Sequence, residues 1–254
     1  MSSSNTLLGK TVVITGASSG VGLATALAFA EEGCCLVLAA RGEEALNKAV
    51  SKCEALGADA VANPTDVSDA EAVQRLTQKT LERYGRIDIW INNAGVMATG
   101  KLEDMPFDTL DQIVKTNLLG YVHGARSVLP VFRLQNHGVL INNISIGGWM
   151  PAPYGTVYTA SKFGIRGMVE TLQGEVSDAP DIHVCALYPS IQRSTGNMHS
   201  AKYSGLDFKI PPLASDPKTL AAAMVRIAKH PRKSAYINWA ALIFKWLYGF
   251  FPRL

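Results

Sequence analysis

Short apolar runs and longer runs of helix-forming composition alternate along most of this chain. Lys10–Thr15 (KTVVIT), Cys34–Ala40 (CCLVLAA), Ala58–Asn63, Ile87–Asn92 (IDIWIN), Val139–Ile144 (VLINNI) and His183–Leu187 (HVCAL) are short and largely aliphatic. That pattern predicts six buried strands. Between them, Leu23–Glu32, Glu43–Leu56, Asp69–Tyr84, Phe107–Gln135 (in one or two pieces) and Val157–Ser177 predict helices. Strands that are apolar on both faces and alternate with helices imply an α/β fold. Its expected form is a doubly wound parallel sheet with helices on both faces and right-handed crossovers.

The alternation stops after the sixth strand. Residues 189–214 are rich in Ser, Gly, Lys and Pro. Loops at the carboxyl ends of such strands carry the ligand site, so this segment is read as a substrate-capping loop. Near the end, residues 239–251 (WAALIFKWLYGFF) are apolar apart from Lys245. The run is shorter than the roughly 20 residues a membrane span takes. Trp239, Leu242, Ile243, Trp246, Leu247 and Phe250 share a helical face, so 236–254 reads as an apolar C-terminal segment. It would pack on the body or on a neighbouring subunit, with an interfacial membrane helix or a pocket lid as alternatives.

Composition narrows the class. The 254 residues fit one domain, 1–254, without linker or repeat. With 48% hydrophobic and 18% charged residues, the chain is a folded rather than a disordered one. A net charge of +3 without basic runs gives no case for nucleic acid. Cys34, Cys35, Cys53 and Cys185 form no C-x-x-C pair, and the five histidines lie far apart, so no metal site is expected. Buried thiols suit a reducing, cytoplasmic setting. Residues 1–8 lack the features of a signal peptide.

The candidate chemistry starts after the first strand, at Thr15-Gly16-Ala17-Ser18-Ser19-Gly20-Val21-Gly22. The spacing G-x-x-x-G-x-G is not the G-x-G-x-x-G fingerprint, but the physics is shared. Gly16 permits a tight turn, Gly20 lets backbone approach a pyrophosphate, and Gly22 allows close packing. The following helix N-terminus offers free N–H groups, with Ser18 and Ser19 as added donors. The second strand ends in Ala39-Ala40-Arg41, where an NAD site commonly carries an acidic residue. A guanidinium there suits a 2′-phosphate, which favours NADP over NAD. Asp66-Val67 and Asn93-Ala94-Gly95 follow the third and fourth strands, where an adenosine would lie across such a sheet.

Tyr158 and Lys162, in YTASK, are four residues apart and share one helix face. A nearby ammonium is expected to lower the phenol's pKa from about 10 toward a useful range. Ser145, just after the fifth strand, could hold a substrate oxygen beside that phenol.

With these motifs in place, the chain resembles the short, single-domain branch of the short-chain dehydrogenase/reductase family over about residues 8–190. The matches are TGASSGVG at 15–22, DV at 66–67, NNAG at 92–95, Asn117 in KTNLLG, Ser145 in NISIGG, and YTASK at 158–162. The resemblance implies a Rossmann-type sheet of about seven parallel strands, assembled as a homodimer or homotetramer. It implies that Tyr158 is the general acid in carbonyl reduction and the base in alcohol oxidation. Lys162 would hold the nicotinamide ribose and tune Tyr158, Ser145 would orient the substrate oxygen, and Asn117 would support a water chain. Gly16, Ser18, Ser19, Gly20, Val21, Gly22, Arg41, Asp66, Val67, Asn93, Ala94, Gly95, Tyr158, Lys162, Pro189 and Gln192 would contact the cofactor. One departure stands out. The usual Pro-Gly after the sixth strand is Pro189-Ser190, and Ser194 or Thr195 stands where a nicotinamide-contacting Thr is expected.

The expected function is therefore an NADP-dependent oxidoreductase that interconverts a carbonyl compound and a secondary alcohol. Ile146, Trp149, Met150, Pro151, Tyr154 and Tyr188 border the expected pocket, with Met198 and Tyr203 from the cap, which points to an apolar or aromatic substrate. His199, Lys202 and Lys209 would instead suit a carboxylate or phosphate. The competing readings are a non-catalytic NADP-binding regulator and a membrane- or partner-associated protein.

Overall fold

A computed structural model of the chain describes residues 6–190, 201–203 and 214–237. Most of the expected capping loop, with Gln192, Ser194, Thr195 and Met198, and nearly all of the apolar C-terminal segment lie outside the described residues.

The main sheet is built from β1 (Thr11–Thr15), β2 (Cys35–Ala40), β3 (Ala60–Pro64), β4 (Ile89–Asn92), β6 (Gly138–Asn143), β7 (Ile182–Tyr188) and β9 (Ser234–Tyr236). Their order across it is β3-β2-β1-β4-β6-β7-β9, and every neighbouring pair is parallel. The helices are α1 (Gly20–Glu31), α2 (Glu43–Glu54), α3 (Ala70–Tyr84), α4 (Phe107–Ile113), α5 (Gly120–Gln135), α6 (Thr156–Glu175) and α7 (Pro217–Lys229). A second, two-stranded sheet pairs β5 (Ala98–Thr99) with β8 (Ala201–Lys202).

Side chains alternate across each strand and so divide the core in two. Val12 and Ile14 of β1 join Leu36, Leu38, Phe29 and Met224 on one face. Val13 of the same strand joins Val37, Trp90, Phe132 and Leu140 on the other. Chain order reverses between β1 and β4, which opens a crevice at their carboxyl ends. The predicted site residues all follow the carboxyl ends of β1, β2, β3, β4, β6 and β7, or lie on α5's approach and α6.

Several predicted boundaries shift. α1 begins at Gly20 rather than Leu23, because the turn glycines are taken into its first turn. The region 107–135 is α4 and α5 joined by one stretch of π-helix, Val114–Leu119, which contains Asn117. The sequence reading did not extend to α7 or β9, and β9 supplies the seventh strand.

At the opposite edge, the Asp88 carboxylate is buried at the start of β4. It accepts from the Thr11 amide (3.0 Å), Lys10 Nζ (3.2 Å) and Arg86, and His137 Nε2 lies 3.1 Å away. This cluster clips the amino ends of β1 and β4 together.

Gly22 shows how tightly the first turn packs. A Cβ there would overlap the Gly16 carbonyl oxygen and lie 2.8 Å from Asn93 Nδ2. Gly22→Ala is expected to cost about 1–3 kcal/mol, since backbone must move to relieve the overlap. Urea unfolding measures this, and an unchanged midpoint would contradict the packing described.

Candidate active site

The glycine turn is held from below. Thr15 Oγ1 donates to Ile91 O (3.2 Å) and accepts from the Asn93 and Ala94 amides (3.0 and 3.1 Å). Asn93 Nδ2 donates to Thr15 O (2.9 Å), while its Oδ1 accepts from Asn143 Nδ2 (2.9 Å). The Asn93 side chain, expected at the cofactor, is thus a brace between β1, β4 and β6. Gly16 and Gly20 have φ of 68° and 52°, the left-handed conformation that a side chain disfavours. Ser19 caps α1 without a side-chain hydrogen bond, so the first-turn N–H groups keep their capacity for an anion. Ser18 is half-buried and Ser19 exposed on this turn. Val21 lies in the first turn of α1.

Arg41 is exposed where β2 ends, and its charge acts on Asp66. Burial works to raise the Asp66 pKa, but hydrogen bonds from Ser68 and the Arg41 charge lower it overall. Asp66 Oδ1 accepts from the Ser68 amide (2.9 Å) and hydroxyl (2.7 Å), closing a local turn. Val67 packs against Gly120, and its carbonyl meets His123 Nδ1 at 2.9 Å.

Asn117 is fully buried. Its Oδ1 accepts from the Val96 amide and its Nδ2 donates to Val96 O, both at 2.8 Å. Nδ2 also reaches Ser161 Oγ at 3.4 Å. Asn117 therefore fixes the chain just beyond Gly95.

The chemical groups converge between β6 and α6. Ser145 has φ 129°, a strained value for a residue with a Cβ. It is held there by the Gly147 amide on Ser145 Oγ (3.1 Å) and the Ile146 amide on Pro189 O (2.8 Å). A Cβ on Gly147 would lie 3.4 Å from Tyr158 Cε1 and 3.5 Å from Ser145 Oγ, so this residue lies against both hydroxyl-bearing side chains. Lys162 is 5% exposed; its Nζ lies 5.6 Å from the centre of the Tyr158 ring. Nζ reaches Asn143 O at 3.4 Å.

One expectation is corrected here. The Tyr158 pKa is raised, not lowered: burial raises it, and the hydrogen bond with Ser145 only partly opposes this. The burial that keeps the phenol protonated also drives Lys162 down to about 7, so the lysine is only partly charged at neutral pH. A second correction concerns Tyr188, expected on the pocket wall. It is 1% exposed, tilted against Trp149 (5.7 Å) and stacked on Tyr236 (5.1 Å) within the core. Trp149 in turn carries the Arg166 guanidinium at 3.7 Å from its ring centre. Of the cap, Tyr203 is described. Its amide donates to Thr99 O (2.7 Å), and its hydroxyl meets Thr109 Oγ1 at 3.1 Å.

Three participants escaped the sequence reading: Thr15, Tyr121 and Asn143. Thr15 sat inside the quoted TGASSGVG motif, and Asn143 two places before Ser145. Tyr121, a single polar-tipped aromatic in NLLGYV, carried no distinguishing signal.

The residues fit a nicotinamide dinucleotide. The turn has glycine at 16, 20 and 22, the α1 N-terminus is open, and Asn143 Oδ1 is a buried acceptor with no donor among the described residues. Among those residues no group of His, Cys, Asp and Glu is placed to hold a metal ion. No helix among them is long and apolar enough to cross a membrane.

Residues 10–204 match the family model described as short chain dehydrogenase. The chain belongs to the short-chain dehydrogenase/reductase family, oxidoreductases that act between CH–OH and carbonyl groups. It is 32% identical over 250 residues to the uncharacterized oxidoreductase YxnA of Bacillus subtilis, covering 96% of this chain and 70% of that one. It is 38% identical over 193 residues to 11-beta-hydroxysteroid dehydrogenase A of Sesamum indicum, covering 75% of this chain and 55% of the relative. Among solved structures, a short-chain dehydrogenase/reductase from Burkholderia phymatum in complex with NAD superposes with a TM-score of 0.86 at 26% identity, covering 96% and 94% of the two chains. An alcohol dehydrogenase from Thermococcus sibiricus complexed with 5-hydroxy-NADP gives 0.80 at 28% identity, covering 89% and 95%.

Proposed function

We propose that this protein is an NADP-dependent oxidoreductase that interconverts an apolar or aromatic ketone and its secondary alcohol, with Tyr158 as the proton donor and acceptor. The observation that carries this is the convergence of Ser145, Tyr158 and Lys162 between β6 and α6.

The nicotinamide supplies or accepts a hydride at C4. The chain does the rest. Ser145 Oγ donates a hydrogen bond to the substrate oxygen and holds it against the phenol. In reduction, Tyr158 Oη passes its proton to that oxygen as the carbonyl carbon takes the hydride; in oxidation the proton returns to the phenolate. Lys162 in its ammonium form stabilises the phenolate by charge. A raised phenol pKa suits the acid role, because the proton is present at neutral pH. Gly16–Gly22 and the α1 N-terminus would hold the cofactor's pyrophosphate, Asp66 and Val67 its adenine, and Ala94 and Gly95 its ribose. Pro189, and Gln192 in the stretch outside the described residues, would hold the nicotinamide.

Arg41 supports NADP, since β2 ends without a carboxylate to meet a ribose 2′-hydroxyl. Similar proteins are complexed with NAD and with 5-hydroxy-NADP, so a nicotinamide cofactor is common ground and the choice rests on Arg41. Arg41→Ala is expected to raise the NADPH dissociation constant by about 10- to 100-fold, the worth of a charge-assisted contact, while NADH changes little. Fluorescence titration with both nucleotides measures this, and equal losses would reject the contact.

Ile146, Trp149, Met150 and Tyr154 support a lipophilic substrate, as does the similarity to a dehydrogenase named for a hydroxysteroid. The proposed enzyme works in the cytoplasm as one domain. It assembles into dimers or tetramers. The test is a panel of ketones, aldehydes and secondary alcohols with both cofactors, followed at the reduced-nicotinamide absorbance. Lipophilic ketones should consume NADPH; tight NADPH binding without any turnover would favour a regulator.

A further inference from the structure

We propose that Tyr121 is a positioning residue for the Lys162 ammonium: its ring lies beside the charge and its hydroxyl occupies the Asn143 carbonyl, leaving the ammonium's N–H groups for a ligand. This rests on Lys162 acting in the reaction proposed above.

Lys162 is 5% exposed, and among the described residues no carboxylate pairs with it. Its surroundings are few. From β6 comes the Asn143 carbonyl at 3.4 Å, from α6 the Tyr158 ring at 5.6 Å, and from α5 the Tyr121 ring at 5.2 Å. The ammonium is therefore flanked by two phenol rings, whose π faces offset part of the cost of holding a cation out of water. Tyr121 is also a competitor. Its hydroxyl donates to Asn143 O at 2.7 Å, far closer than the lysine's 3.4 Å. The shorter bond holds the better site on that oxygen, and the ammonium is left weakly tied. Complete burial pushes the Tyr121 pKa up, so this hydroxyl remains a donor throughout the working pH range.

Tyr121 cannot drift from this place. Its carbonyl accepts from Asn92 Nδ2 (3.2 Å), which also donates to Asn142 Oδ1 (3.0 Å), and Asn92 Oδ1 accepts from Trp90 Nε1 (2.8 Å). Asn143, the shared acceptor, reaches through its own amide to Asn93, and Asn93 to the glycine turn. The lysine's tether and the cofactor turn thus hang on one chain of asparagines. A tyrosine kept only for packing would need neither the short bond to a carbonyl shared with Lys162 nor a ring beside the charge.

The test reads Lys162 itself. With lysine labelled with 13C at Cε, NMR follows its titration in the protein without cofactor, the resonance being assigned by its loss in Lys162→Arg. Tyr121→Phe keeps the ring and frees the carbonyl, so the ammonium binds it more strongly. The Lys162 midpoint is expected to rise by about one pH unit, the worth of a hydrogen bond to a charged group. The NADPH dissociation constant should rise about tenfold as the N–H groups turn away from the ligand. Tyr121→Leu also removes the ring, so its midpoint should fall about half a unit or more below that of Tyr121→Phe. Should Tyr121→Leu not fold, Tyr121→Phe decides alone. An unmoved midpoint or an unchanged NADPH affinity in Tyr121→Phe overturns the proposal. Because the titration uses neither cofactor nor substrate, it stands apart from the acid–base assignment. Retained turnover in Tyr158→Phe would defeat that assignment without touching the titration, and an unmoved midpoint would defeat Tyr121's role alone.

Discussion

Tyr158→Phe is expected to lower kcat by about two to four orders of magnitude, the usual worth of a positioned general acid. NADPH affinity should stay within a few-fold, because the substitution removes one oxygen and keeps the ring. The reasoning is geometric before it is electrostatic. Ser145 is held in a strained conformation by its bond from the Gly147 amide and by the Ile146 amide on Pro189 O, and its hydroxyl is near enough to oppose part of the burial shift of Tyr158. Phenylalanine keeps the ring and loses the hydroxyl that carries the transferable proton. Steady-state kinetics with a ketone that wild type reduces, paired with fluorescence titration of NADPH, measures both quantities. Turnover near the wild-type rate would remove Tyr158 from the chemistry.

The second large effect is on stability, and it arises far from the site. Asp88→Ala is expected to destabilise the protein by about 1–3 kcal/mol at pH 7, because it leaves the buried Thr11 amide without its acceptor and three partly exposed basic side chains without their carboxylate. Asp88 is 4% exposed and faces Lys10, Arg86, His137 and the Thr11 amide. Burial works to raise its pKa, but the Arg86 and Thr11 hydrogen bonds and the neighbouring cations outweigh burial and lower it. A carboxylate whose folded pKa is depressed stabilises the fold fully above its unfolded value near 3.9, and the contribution is lost as pH falls through the folded value. The gap between wild type and Asp88→Ala should thus be widest at neutral pH and narrow below about pH 3.9. Urea unfolding across that range checks it. A gap independent of pH would mean that packing, not charge, holds this corner.

Much of this could be read from sequence, for stated physical reasons. Period and composition marked six of the seven main strands, because strands buried on both faces show as unbroken aliphatic runs. β9 (Ser234–Tyr236) escaped because three residues carry no period. The closeness of Gly16 to Gly22 and of Tyr158 to Lys162 was legible because their spacing in sequence becomes proximity across one turn or one helix face. What sequence could not show was direction. The i, i+4 spacing of Tyr158 and Lys162 said that an ammonium would lie near a phenol, but not that both would be withdrawn from water. That withdrawal reverses the expected shift. Nor could it show that Asn93 and Asn117 bond to backbone at Thr15 and Val96, since those partners are 78 and 21 residues away. Tyr188 was misplaced because a tyrosine at a strand end reads equally as pocket wall or as core.

The central claim is that the Tyr158 hydroxyl meets the substrate oxygen while Lys162 and Ser145 flank it. The most direct measurement is a crystal structure of the protein with NADP and a bound ketone or alcohol. The account predicts Tyr158 Oη and Ser145 Oγ within about 2.6–3.2 Å of the substrate oxygen, with the reacting carbon against the nicotinamide. A substrate oxygen held by other groups, with the phenol pointing elsewhere, would contradict it.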